Sequence, residues 1–72
     1  MMNYEHVANV LCALPSGTEV IITTYNGTYN GMARDYPGMG RRYTVNFAEW
    51  FITPEALENL SVTAVKVYEF DL

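Results

Sequence analysis

Residues 18–36 read TEVIITTYNGTYNGMARDY, and this run limits the fold more than any other part of the chain. Thr18 to Tyr25 is rich in β-branched residues and is bounded by turn signals, as a strand requires. It ends at Asn26-Gly27, the residue pair that best tolerates the two positive φ angles of a type I′ hairpin turn. The spacing predicts a strand over 18–25, a turn at Asn26-Gly27 and a return strand over 28–36. Val20, Ile22 and Thr24 share one face, and Ile21, Thr23 and Tyr25 share the other. A second Asn-Gly, Asn30-Gly31, then falls inside the return strand. Glycine in a strand interior marks a β-bulge or the close approach of another backbone. The expectation is a bend of the kind that small barrels need. The alternative register makes Asn30-Gly31 the turn.

Local signals place the other elements. Asn3 is a helix N-cap, and Glu5 favours the dipole of the first turn. Tyr4, Val7, Ala8, Leu11 and Leu14 form an apolar stripe at helical spacing, stopped by Pro15-Ser16-Gly17. Pro37-Gly38-Met39-Gly40 reads as a loop, and Arg42 to Phe51 as a third strand. Thr53-Pro54-Glu55 is a cap, an N1 proline and an acid, opening a short helix with Ala56, Leu57 and Leu60 on its buried side. Val62 to Phe70 is the last strand, with Val65, Val67, Tyr68 and Phe70 available to pack.

The order α-β-β-β-α-β predicts one small α+β domain over residues 1–72. In element order alone it resembles an SH3-like or Sm-like half-open barrel. That is a small, strongly bent antiparallel sheet with an N-terminal helix and a short helix before the last strand. An open antiparallel sheet with both helices on one face is the second arrangement this order allows.

Size decides what else the chain needs. A 72-residue domain has much surface for its volume. Domains of this size are commonly stapled by disulfides, a metal or self-association. Cys12 is the single cysteine, so no internal disulfide forms, which fits a reducing compartment. One histidine and one cysteine provide no metal-ligand spacing, and no cofactor motif is present. Close packing or a homo-oligomer is the staple left. No apolar run is long enough to span a membrane, and Met1 to Glu5 lacks the basic start of a signal peptide. The expectation is a soluble, cytoplasmic protein with no membrane partner.

The net charge of −4 argues against a long nucleic acid as partner, since such binding rests on a basic footprint. The bases are nevertheless clustered: Arg34, Arg41 and Arg42 lie within nine residues. In Gly38-Met39-Gly40-Arg41-Arg42 the glycines Gly38 and Gly40 let backbone N–H groups converge, and Arg41 and Arg42 add forked donors, so a phosphate or carboxylate is a candidate ligand. The plain reading is a solvated hairpin loop. Tyr25, Tyr29, Tyr36 and Tyr43 fall on or beside the same region. Tyrosine and arginine are enriched at protein interfaces and also stack on bases, whereas cross-strand packing is the structural alternative. If Phe47 and Phe51 face inward, Trp50 faces outward as a partner contact; burial under the second helix is the alternative.

Enzyme chemistry finds no support. His6 and Cys12 are about 240° apart on their helix, and no nucleophile–base–acid set assembles around one histidine. His6 reads as solvated and Cys12 as a small buried or half-buried residue. The expected function is a non-enzymatic protein-interaction module. Its contact residues are expected among Tyr25, Tyr29, Arg34, Tyr36, Arg41, Arg42, Tyr43 and Trp50, meeting a partner with a basic surface. In size and charge the chain is similar to small phage or mobile-element inhibitors of host complexes, the anti-CRISPR type among them, without a shared motif. The alternative is a small-nucleotide or nucleic-acid binder using the same arginines and tyrosines.

Overall fold

The computed structural model describes residues 2–72. The elements are α1 (Tyr4–Ala13), β1 (Glu19–Thr24), β2 (Gly27–Tyr36), β3 (Gly40–Val45), β4 (Ala48–Phe51), α2 (Pro54–Asn59), β5 (Ala64–Val67) and β6 (Phe70–Asp71). Both helices start where their caps place them. The Asn3 side chain accepts from the His6 N–H, and the Thr53 side chain accepts from the Ala56 N–H ahead of Pro54 at the helix start. Leu14, the residue before Pro15, is extended, which ends α1.

Six strands form one antiparallel sheet in the order β4-β3-β2-β1-β5-β6. The order is linear, with β4 and β6 as the two edges, so the sheet is open. This is the second of the two arrangements expected, with six strands in place of four. The two additional strands come from turns inside segments read as continuous. Asn46 and Phe47 have φ of 50° and 67°, and Val45 pairs with Ala48 across them. Two positive φ angles in a two-residue loop are the mark of a type I′ turn. They split the expected third strand into β3 and β4. Tyr68 has φ of 56°, and Val67 pairs with Phe70, which splits the last strand into β5 and β6.

The first hairpin also turns one residue early. Its loop is Tyr25-Asn26, Thr24 pairs with Gly27, and neither loop residue has positive φ. The hydroxyl of Thr24 explains the shift. It accepts from the Asn26 N–H and donates to the Gly27 carbonyl, while the Tyr25 N–H donates to the Ser61 carbonyl. A Thr-organised turn thus replaces the expected type I′ turn. The ladder runs through Asn30 and Gly31 without interruption, so the second Asn-Gly makes no bulge. Gly31 is there for space: a Cβ would lie 3.2 Å from Val45 Cγ2, 3.5 Å from Val20 Cγ2 and 3.6 Å from Tyr43 Cδ2.

Both helices lie on one face of the sheet. Val7, Ala8 and Leu11 of α1 and Leu57 of α2 join one buried cluster with Val20 and Ile22 of β1, Ala33 of β2, Tyr43 and Val45 of β3, and Val65 and Val67 of β5. Tyr4 and Tyr43 bury their rings toward this cluster and send their hydroxyls to the Val62 and Leu11 carbonyls at 2.9 and 2.7 Å. The opposite face of the sheet has, among the described residues, no helix over it. Among the described residues, no helix is long and apolar enough to cross a membrane.

Candidate interaction surface

Strand alternation sorts the charged residues between the two faces. Arg41 lies on the helix side. Its guanidinium donates from Nε and Nη2 to the two Asp35 carboxylate oxygens at 2.7 and 3.3 Å, and from Nη1 to the Leu11 carbonyl at 3.0 Å. The side chain is only 10% exposed. A cation on the last turn of a helix is favourable, because the free carbonyls there carry partial negative charge. Hydrogen bonding from Arg41 holds the Asp35 carboxyl below its ordinary range, and the same bond raises the guanidinium. Burial pushes the Tyr43 phenol up.

Arg34 and Arg42 face the other way, opposite each other on β2 and β3. The Arg42 guanidinium lies 4.3 Å from the Phe51 ring centroid and donates to the Met39 and Arg41 carbonyls. Lys66 on β5 is on this open face as well, and so are Glu19, Glu49 and Asp71, by register with Met32, Thr44 and Lys66. Three bases therefore meet three acids on the open face, and Arg41 cancels Asp35. The net −4 resides in Glu5, Glu55 and Glu58 on the helices and Glu69 in the last turn. The open face is balanced in charge, with Ile21, Met32 and Phe51 exposed on it.

The expected site residues therefore divide. The three arginines do not converge, because Arg41 is turned onto α1. Gly38 and Gly40 have φ of 73° and 76°, which is why glycine stands at both. The two arginines after them leave on opposite faces, so the loop gathers no pair of guanidinium groups around one anion. The tyrosines divide too. Tyr25 is exposed in its turn, Tyr36 is half-buried, and Tyr43 is fully buried and cannot serve as a contact. Tyr29 packs edge-on against Trp50, with ring centroids 5.6 Å apart and planes at 66°. Trp50 is half-buried on the helix side against the core, next to Asn59 and Leu60 at the end of α2, which is the burial alternative and not the outward one. With Leu60 and Tyr25, these two rings line a depression of about 270 Å³. His6 is exposed, and so is Cys12, which was expected to be covered.

One residue that the inward reading of Phe47 misplaced is the most conspicuous on the surface. Phe47 is completely exposed at the tip of the β3–β4 hairpin, in the left-handed region at φ 67°. The signal available for it was Asn46, a residue that tolerates positive φ, in the middle of an otherwise alternating run. Beyond the chain itself, comparison with family models, with curated proteins and with solved structures finds no match.

Proposed function

We propose that the chain is a non-enzymatic protein-interaction module that docks through the β3–β4 hairpin tip and the adjoining open sheet face. The observation that carries this reading is Phe47. A bulky side chain in the left-handed region costs roughly 1–2 kcal/mol, which glycine avoids. Asn-Gly is the favoured type I′ pair, yet the chain holds Asn46-Phe47 there with the ring wholly in solvent. A local rule broken with no gain in the folded monomer points to a use outside it. An aromatic knob on a rigid hairpin suits a concave apolar pocket on a partner protein. The net charge steers a partner with a basic surface toward the molecule. An inhibitor of a host complex, of the phage or mobile-element kind, is one form of such a module. It adds the expectation that capture blocks the partner's own activity.

The nucleotide reading is weaker on the same geometry. With Arg41 engaged by Asp35 and Tyr43 in the core, it retains Arg34, Arg42 and Tyr36, and no specific observation favours it. The test uses Phe47→Gly. This variant is expected to gain about 1 kcal/mol in urea unfolding, since strain is removed and no packing is lost. Immobilised wild-type protein is expected to retain one dominant protein from host lysate, and Phe47→Gly to lose it. Retention that ignores Phe47→Gly, or retention of nucleic acid alone, overturns the proposal.

A further inference from the structure

The β4 edge carries a second inference, independent of the partner reading. Across a two-residue hairpin loop the flanking pair exchanges both backbone hydrogen bonds, and bonded and non-bonded pairs then alternate. Val45–Ala48 and Tyr43–Trp50 are therefore the bonded pairs of β3 and β4, and Thr44–Glu49 and Arg42–Phe51 the non-bonded ones. Glu49 and Phe51 consequently aim their N–H and C=O groups away from β3. No backbone or side-chain partner takes these four groups among the described residues. The opposite edge, β6, is only two residues long. Proteins blunt exposed edges with lysine, proline, bulges or short strands. Within β4, Ala-Glu-Trp-Phe, there is no lysine, proline or bulge, and Glu49 is the only charge.

We propose that this edge pairs antiparallel with β4 of a second copy of the chain, about a twofold axis at Trp50. The register follows from the free groups. Placing Glu49 opposite Phe51 of the partner, and Phe51 opposite the partner's Glu49, satisfies all of them in both copies. A shift that puts Glu49 opposite the partner's Glu49 leaves Phe51 unpaired and sets like charges face to face. In the favoured register, Glu49 lands on the open face beside the partner's Phe51, over which the partner's Arg42 already lies. Two strand spacings are about 9.6 Å, a gap that an arginine and a glutamate bridge between them. Each interface then holds two such ion pairs, and Trp50 meets the partner's Trp50 on the helix side. The product is one continuous sheet with its helices on one face, and it supplies the staple that a 72-residue chain without disulfides lacks.

Sedimentation equilibrium of the full chain tests this through a charge swap. Wild type is expected to show a concentration-dependent dimer. Glu49→Arg alone and Arg42→Glu alone are each expected to raise the dimer dissociation constant at least about tenfold, since each sets two like-charge pairs in the interface. The double variant Glu49→Arg/Arg42→Glu is expected to recover most of that loss. Phe51→Pro removes an outward N–H and the exposed ring beneath Arg42 but no β3–β4 backbone bond, so it is expected to keep the monomer's circular dichroism and abolish the dimer. A wild-type monomer at every concentration overturns the proposal. So does a dimer that ignores both the charge reversals and Phe51→Pro.

Discussion

Tyr43→Ala is expected to cost about 3–5 kcal/mol, the range for truncating a large buried aromatic. Tyr43 is the largest fully buried side chain, and it ties the sheet to α1. Its ring sits among the core residues of the sheet, its hydroxyl holds the last turn of α1 through the Leu11 carbonyl, and Arg41 passes over it at 6.0 Å. A chain of this size has a total stability of roughly 4–11 kcal/mol, so the alanine variant is expected to lose a large fraction of it, read as a strongly lowered urea midpoint. Tyr43→Phe separates the ring from the hydroxyl. Leu11 keeps its bond from Arg41, so no carbonyl is orphaned, and the expected loss is about 1 kcal/mol. The phenylalanine variant also carries a pH signature. Burial raises the Tyr43 pKa above its ordinary value, so the folded state holds that proton longer than the unfolded one. The stability linked to it is present below about pH 10, the ordinary phenol value, and is lost as pH rises through the higher folded value. Urea midpoints at pH 8 and pH 11 are expected to fall further apart in wild type than in Tyr43→Phe. Equal slopes in the two proteins would show that the phenol is not protected by burial.

The parts of this architecture that were legible from sequence are those fixed by short-range chemistry. Asn3 and Thr53-Pro54 are caps that act within one turn, and α1 and α2 begin where those residues place them. The alternation of Val20, Ile22 and Thr24 likewise needs only a strand with one covered face, and all three are buried. The missed features depend on choices between near-equal local states. The Thr24 hydroxyl moved the first turn by one residue, and both registers keep the same residues inside, so hydrophobic patterning alone did not separate them. The Asn46-Phe47 turn carries no glycine, and its strain is visible only as geometry. The arginines teach a different lesson. Adjacent strand residues point to opposite faces, so Arg41 and Arg42 belong to different surfaces once β3 is known to begin at Gly40. Starting that strand at Arg42 hid the division and made one cluster out of two roles, a helix-capping ion pair and an open-face cation.

Gly31→Val, the second large effect, separates the two halves of the repeated Asn-Gly. Intrinsic strand preference favours valine over glycine by up to about 1 kcal/mol, and Gly31 lacks a positive φ that would forbid a side chain. If conformation were the reason for glycine, the substitution would stabilise the protein. Space argues the reverse. The first atom of any side chain at Gly31 already comes within 3.2 Å of Val45 Cγ2, and the γ-methyls of valine would extend further among Val20, Val45 and Tyr43. All three neighbours are at most 2% exposed and have little room to retreat. Overpacking of this kind costs typically 1–3 kcal/mol, and with up to about 1 kcal/mol of strand preference set against it the net expectation is a loss of about 1–2 kcal/mol. Asn30→Val is the matched control, one residue earlier on the exposed face of the same strand, where the preference acts without a clash. It is expected to be neutral or stabilising by up to about 1 kcal/mol. Gly31→Ala should fall between, because its single methyl requires Val45 to yield only a few tenths of an ångström. Chemical denaturation of the three variants gives an order, Asn30→Val above Gly31→Ala above Gly31→Val, that close packing demands. A Gly31→Val protein as stable as Asn30→Val would mean that the core on this side is loose enough to accept a side chain.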